Sequence, residues 1–402
     1  MLEKDLLKKY GSPIYVYDYD KLIEKCLEMK KFSKKIENKL NIKVSIHYSS
    51  KANNNLEILK IINNQGLSVD AMSPLELYLA EKASFEKENI LYVCNNITKE
   101  EMKLVSDKDI LMCFDSVSQV ETFGKICPNK DIMIRINPGA LGVGFSKKVI
   151  TSGNDTKFGI CEEEFANLFE VVKKYNLTVI GVHQHLGSLF LNDKIDDYIL
   201  GIKTSINIIK KYFKNIKIVD FGGGFGVPYK SEKSLDLELL CDKLIPVLED
   251  LKKALFYLEE IKFEPGRYIV CESGYILGEV TSVKKNKDTI WIGTDIGMNV
   301  LVRPSMYDSY HKIEIVNDNK NRITCNICGN ICESGDVLGK NRLVNEPSVN
   351  DIVKVYNAGA YGYSMSSNYT GRLKPAEVIV FNNNDSKLIR NRETIDSIVK
   401  LF

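Results

Sequence analysis

The stretch Leu177–Gly224, LTVIGVHQHLGSLFLNDKIDDYILGIKTSINIIKKYFKNIKIVDFGGG, decides the fold. A β-branched run at Leu177–His183 is followed by apolar residues at helical spacing over Asp196–Tyr212, then by a second β-branched run at Ile216–Phe221. Strand, helix, strand in that order is a parallel βα unit, because a parallel neighbour is reached only by crossing back over the sheet. The alternation extends both ways. Strand-like runs at Ile42–His47, Leu67–Ala71, Ile90–Cys94, Ile110–Phe114 and Asp131–Ile136 precede it, and Ile261–Glu264 follows. Helical patterns at Leu56–Asn63, Leu75–Lys82, Glu162–Lys174 and Leu239–Leu255 fall between such runs. Eight strands separated by helices predict an α/β chain with a (β/α)8 TIM barrel over residues 30–275. A doubly wound open sheet is the alternative that periodicity leaves open.

Past residue 275 the helices stop. Glu279–Lys284, Thr289–Gly293, Lys312–Val316, Arg322–Ile327, Asp351–Asn357 and Ala376–Phe381 are short strands joined by Gly, Asn, Asp and Pro. That spacing predicts an all-β domain over 276–402. Pro13–Tyr17, ahead of a helix over Tyr19–Ile36, is β-rich and fits either domain; residues 1–29 are grouped with the β-domain.

Composition narrows the function. Hydrophobic residues make up 44% and charged residues 27% of 402 residues, enough for a large core. The 55 basic against 53 acidic side chains leave +2, with no basic stripe, which argues against a nucleic-acid partner. No apolar run approaches the roughly 18 residues of a membrane span. Charges crowd Met1–Lys9, where an export signal would be apolar, and ten cysteines then read as reduced thiols in the cytoplasm.

In a barrel, chemistry gathers at the carboxyl ends of the strands, and the polar and glycine-rich clusters fall there. Tyr48-Ser49-Ser50-Lys51-Ala52-Asn53 offers an amine nucleophile able to form a Schiff base; a solvated lysine is the plain alternative. His183-Gln184-His185-Leu186-Gly187-Ser188 carries two histidines two apart. A zinc site needs further ligands of known position, whereas an imidazole stacked on a planar cofactor needs none, so no metal is expected. In Asp220-Phe221-Gly222-Gly223-Gly224-Phe225-Gly226 the backbone can approach an anion, but Val227 stands where a dinucleotide fingerprint needs glycine. Glu264-Pro265-Gly266-Arg267 can serve both ends of a phosphorylated heterocycle, the acid on a ring nitrogen and the Arg and Gly amide on the phosphate. Cys325-x-x-Cys328-x-x-x-Cys332 lacks a fourth ligand for a metal cluster. Cys332-Glu333-Ser334-Gly335-Asp336 sets a thiol among acids, and Arg303-Pro304-Ser305-Met306-Tyr307 offers a grip on a carboxylate.

As a set, YSSKAN, the Ser73–Leu77 SxxEL, KFGI at Lys157–Ile160, HQHLGS, DFGGGFG, EPGR, RPSMY, CESGDVLGK and NAGAYGYSMSSNY resemble the diaminopimelate decarboxylases. Those are fold-type III pyridoxal-phosphate enzymes related to ornithine decarboxylase and alanine racemase. The matches run in family order from residue 48 to 369. The resemblance implies pyridoxal 5'-phosphate as cofactor and conversion of meso-2,6-diaminopimelate to L-lysine and carbon dioxide, the last step of lysine biosynthesis. It implies that Lys51 holds the cofactor as a Schiff base, His185 stacks on its ring and Glu264 pairs with the ring nitrogen. Ser188, Gly223, Gly224, Gly266 and Arg267 would surround the phosphate, with Tyr361 near the cofactor. Arg303, Tyr307 and Glu333 would bind the far end of the substrate, bordered by Arg267 and Tyr361, and Cys332 would return a proton to the reacting carbon. It further implies a homodimer with shared active sites, the loop of Cys332 and Glu333 reaching into the other subunit.

The residues agree with that chemistry. A free thiol titrates at about 8.5 and suits proton donation near neutral pH. A substrate with a distal ammonium and carboxylate needs one acid and one base, which Glu333 and Arg303 supply; a plain diamine precursor such as ornithine needs no Arg303. Retention of Lys51 and Cys332 argues against an inactive cofactor-binding homologue. Departures from the family pattern are Ser49-Ser50 before the lysine, Asn357 before AGAY, and the Gly139–Asp155 loop with its Gly144-Phe145-Ser146.

Overall fold

Strands buried on both faces read as continuous runs of Val, Ile and Leu, and such runs pair in parallel beneath a layer of helices. In the computed structural model, which describes residues 2–139, 153, 156–382 and 385–402, they close into a barrel. After β1 (Ile14–Asp18) come β2 (Lys43–Ser49), β3 (Ser68–Ala71), β4 (Ile90–Val93), β5 (Leu111–Phe114), β6 (Asp131–Arg135), β7 (Thr178–His183), β8 (Ile218–Asp220) and β9 (Glu260–Phe263). β2 to β9 pair in sequence order, and β9 returns to β2 in parallel, with Val44 opposite Ile261 and Ile46 opposite Phe263. Closure removes both edges and excludes the open sheet.

Two compact units divide the chain. The barrel unit comprises Cys26–Val227 and Lys233–Tyr268; the second comprises residues up to Lys25, Pro228–Glu232 and Ile269–Phe402. The Phe263 ring lies 5.2 Å from that of Phe32 on the helix Tyr19–Leu40, so this side of β9 faces the helices. Side chains alternate along a strand, and Glu260 and Lys262 therefore face the barrel interior. Lys262 Nζ donates to His47 Nε2 at 2.9 Å and lies 3.0 Å from Glu260, which Lys43 approaches at 2.8 Å. Burial, reinforced by Lys262, pushes the His47 imidazole down to about 3, so it accepts as a neutral ring.

Burial alone would raise the Glu260 carboxyl, but Lys262, Lys43 and Ser45 outweigh it and hold the group at about 2, against an ordinary 4.5. A folded-state value below the unfolded one stabilises the protein above the unfolded value, and that stability is lost as pH falls through the folded one. Glu260→Gln is therefore expected to lower Tm at neutral pH, with the gap closing as pH falls from about 5 toward 2. A gap independent of pH would show that the ion pair contributes nothing.

The second unit holds β10 (Gly274–Asn286), β11 (Thr289–Thr294), β12 (Ile313–Val316), β13 (Arg322–Cys328), β14 (Val337–Asn345), β15 (Ile352–Val355), β16 (Ala376–Val380) and β17 (Ser386–Arg390). The main path is β14-β13-β11-β10-β1-β16-β17, with β15 pairing to β10 and β12. β1 thus joins this sheet, antiparallel to β10 and parallel to β16. β14 and β17 are not legible in the sequence. β14 carries Lys340-Asn341-Arg342 at its middle, with Asn341 at φ 50, which breaks the alternation. β17, at the end of the path, keeps Lys387 and Leu388 exposed. No helix of the described residues is long and apolar enough to cross a membrane.

Candidate active site

β2 ends at Ser49, and a single 3-10 turn, Ser50–Ala52, carries Lys51. Lys51 Nζ lies 3.3 Å from Asp70 Oδ2 at the end of β3. Burial lifts the Asp70 carboxyl to about 7; Lys51 pulls it down while Glu264 and Glu76 push it up. Both serines before the lysine are committed. Ser49 Oγ lies 3.1 Å from Asp70 Oδ2 and 3.0 Å from the Glu264 carbonyl, and Ser50 Oγ donates to Glu76 Oε2 at 2.8 Å. Glu76 also accepts the Met72 amide at 3.0 Å, on a helix capped by Ser73. The SxxEL pattern is thus a helix start whose acid braces the lysine turn, and the Ser49-Ser50 departure is part of the same brace.

Across the barrel mouth the two histidines part company. His185 Nδ1 accepts the Gly223 amide at 3.0 Å, which leaves its proton on Nε2. Burial, with Arg135 and Lys51 adding to it, pushes the His185 imidazole well down, so it stays neutral. His183 Nε2 instead meets Glu264 Oε2 at 3.1 Å. The glycines of DFGGG are there for close approach. A Cβ on Gly223 would sit 2.2 Å from the Glu264 carbonyl oxygen, and one on Gly222, whose φ is 63, would sit 2.6 Å from that of Gln184. On the Glu264 side, a Cβ on Gly266 would meet those of Ser49 and Ala52 at 3.0 Å. Arg267 Nη2 reaches Ser188 Oγ at 3.4 Å. Gly224, at φ 100, passes within 2.7 Å of the Gly187 carbonyl on the same measure. Gly223→Ala is expected to cost roughly 1–3 kcal/mol, because backbone rather than a mobile side chain must move. Thermal unfolding would show the loss, and an unchanged Tm would mean the strand ends separate freely.

Two functional candidates went unread in the sequence. Asp70 and Arg135 are charged residues at or next to the ends of strands, a signal that was present at both positions. Arg135 is 6% exposed, lies 4.5 Å over the Phe158 ring of KFGI, and its Nη2 has no hydrogen-bond partner among the described residues. Gly144-Phe145-Ser146 lie outside the described residues.

The second unit gathers the remaining residues. Arg303 opens the short helix Arg303–Tyr307, is buried, and donates to Ser309 Oγ at 3.2 Å. Its guanidinium lies 5.7 Å from the Tyr307 ring and 5.9 Å from that of Tyr361, which stands at φ 57. Cys332 and Glu333 lie on an exposed loop. Buried Asp336 ties the loop's base by accepting the Met298 and Ile331 amides at 2.6 and 2.7 Å, while Tyr369 donates its hydroxyl to Glu333. The Cys325 and Cys328 thiols face the Arg342 and Ile292 carbonyls respectively.

The barrel mouth fits a phosphorylated pyridine. Glu264 Oε1 is buried with no hydrogen-bond partner among the described residues, as an acceptor awaiting a ring N–H would be. The approach of Gly223 and Gly266 to neighbouring backbone, with Arg267 and Ser188 beside them, makes a cradle without side-chain bulk.

Residues 24–271 match the family model of the pyridoxal-dependent decarboxylase, pyridoxal binding domain. A diaminopimelate decarboxylase of Methanothermobacter thermautotrophicus is 32% identical over 98% of this chain and 92% of its own length. One from Aquifex aeolicus is 34% identical over 99% and 93%. The crystal structure of diaminopimelate decarboxylase from Helicobacter pylori complexed with L-lysine superposes with a TM-score of 0.88 at 28% identity, covering 99% of this chain and 98% of that one.

Proposed function

This chain belongs to the diaminopimelate decarboxylases, within the pyridoxal-dependent decarboxylases, and we propose a division of labour among its residues for that family's reaction. The chain is a pyridoxal-phosphate-dependent amino-acid decarboxylase that converts diaminopimelate to lysine and carbon dioxide. Pyridoxal phosphate supplies an electron sink for the charge left when the carboxylate departs.

Lys51 would hold the cofactor covalently. Its amine must shed a proton before it can attack a carbonyl, and Asp70 Oδ2 at 3.3 Å, its carboxyl lifted by burial, is positioned to take it. Glu264 would pair with the ring nitrogen, and His185, held by the Gly223 amide, would face the ring. Ser188, Gly223, Gly224, Gly266 and Arg267 would hold the phosphate. Arg303, Tyr307, Glu333 and Tyr361, with Arg267, would bind the distal end of meso-diaminopimelate. Cys332 delivers the proton that replaces carbon dioxide. The observation that carries this reading is the pair of acids in one mouth, Asp70 against the Lys51 amine and Glu264 with one open buried oxygen.

Purified protein supplied with pyridoxal phosphate and meso-diaminopimelate is expected to release lysine and carbon dioxide. No product, with the cofactor's visible band present, would send the search to other diamino acids. We further propose a homodimer in which the Cys332 loop completes the partner subunit's site, in a cytoplasm whose reducing conditions suit ten free cysteines. Mixing Lys51→Ala and Cys332→Ala proteins tests the sharing. Each alone is impaired, yet in mixed dimers one site of two is intact, so activity should recover to about a quarter of the wild-type value if half the dimers are mixed. No recovery after confirmed subunit exchange would overturn the shared site.

A further inference from the structure

His183 has no task in the division of labour above, yet it is the side chain that holds Glu264. The imidazole is 1% exposed and its Nε2 lies 3.1 Å from Glu264 Oε2. Glu264 therefore has one oxygen engaged and one, Oε1, buried without a hydrogen-bond partner among the described residues. Burial pushes the His183 imidazole down; Glu264 pulls the other way, but burial together with Arg135 and Lys51 outweighs it, so the ring is neutral near pH 7. A neutral ring carries one proton, and only a proton on Nε2 makes the contact with an ionised carboxylate attractive. Burial would raise Glu264, but His183, Lys51 and His185 outweigh it and hold the carboxyl well below its usual range. Asp220 completes the cluster, its carboxylate, the His183 ring nitrogen and the Glu264 carboxylate lying within 4.8 Å of one another. Burial and then Glu264 push the Asp220 carboxyl well up, toward its uncharged form.

We propose that His183 is a positioning residue for the decarboxylation, donating Nε2–H to one oxygen of Glu264 and thereby presenting the other to the ring nitrogen of pyridoxal phosphate. This rests on the assignment of Glu264 to that nitrogen. A carboxylate pinned at one oxygen cannot rotate its charge away, and a fixed charge keeps the ring nitrogen protonated. A purely structural histidine would fill the same space without controlling that proton.

The test uses holoenzyme reconstituted with cofactor labelled with 15N at the ring nitrogen. In the wild type the ring nitrogen should remain protonated across the neutral range. His183→Leu is expected to lower kcat roughly 10–100-fold, the effect typical of an outer hydrogen-bond partner, to leave KM within about threefold, and to shift the 15N signal toward the unprotonated form as pH rises. His183→Gln, whose amide can still donate, should restore most of both. A Gln variant as impaired as the Leu variant would overturn the proposal, as would a Leu variant with wild-type kcat and wild-type signal. Glu264→Gln separates the layers. If it shifts the signal while His183→Leu does not, Glu264 keeps its role and the proposal fails; if it leaves the signal unchanged, the Glu264 assignment fails and takes the proposal with it. Should the Leu variant not fold, the wild-type imidazole 15N spectrum decides, since a His183 proton on Nδ1 contradicts the donation and one on Nε2 supports it.

Discussion

Lys51→Ala is expected to abolish lysine formation, by roughly 10⁴-fold or more, and to remove the visible absorbance of the lysine-bound cofactor. The amine is supplied by a one-turn element braced from below by Ser49 and Ser50, and it faces Asp70 at 3.3 Å. A substitute would need to reach the same point. Lys262 also faces the barrel interior, but it is buried deeper and held by His47 and Glu260. The variant should keep its fold, because the Lys51 side chain is more than a third exposed and its loss leaves no cavity. Circular dichroism and Tm should match the wild type while absorbance and turnover vanish together. Turnover near the wild-type rate would sink the assignment of the cofactor lysine.

Cys332→Ala is the second large effect, expected to slow turnover by roughly 10²–10⁴-fold with little change in KM, as loss of a general acid does. Its loop is tied at the base by Asp336 and at Glu333 by Tyr369. Neither tie involves the thiol, so removing it should not displace Glu333. Steady-state kinetics with meso-diaminopimelate separate the outcomes. A raised KM at unchanged kcat would make Cys332 a substrate contact, and unchanged kinetics would show that another group delivers the proton.

The barrel was legible because its strands are buried on both faces and read as unbroken β-branched runs with helices between. The candidate site was legible where unusual residues cluster, as in DFGGG or EPGR. It was less legible where one charged residue sits at or next to the end of a strand, as Asp70 does in Ser68–Ala71 and Arg135 in Asp131–Arg135. Such residues look like strand terminators until the barrel closes, when Asp70 comes to 3.3 Å from the Lys51 amine. The partnership of His183 with Glu264 joins positions 81 residues apart, and local pattern carries no trace of it. β14 and β17 were missed for a different reason, since exposed charged positions in both hide the alternation that marks a strand.

The place of β1 in the second sheet bears on how the protein is made. Ile14–Asp18 sits between β10 and β16, and its parallel partner is Ala376–Val380. At elongation rates of about 5–20 residues per second, the first of these segments waits roughly 20–70 s for the last to emerge. Until β10 emerges Ile-Tyr-Val-Tyr is an apolar strand with both edges unpaired, and one edge stays open until β16 follows, the kind of segment that recruits other nascent chains. The barrel, complete once Phe263 has left the ribosome, can form in the meantime. The leading strand must therefore be shielded during synthesis, a burden set by topology and separate from the stability of the finished enzyme.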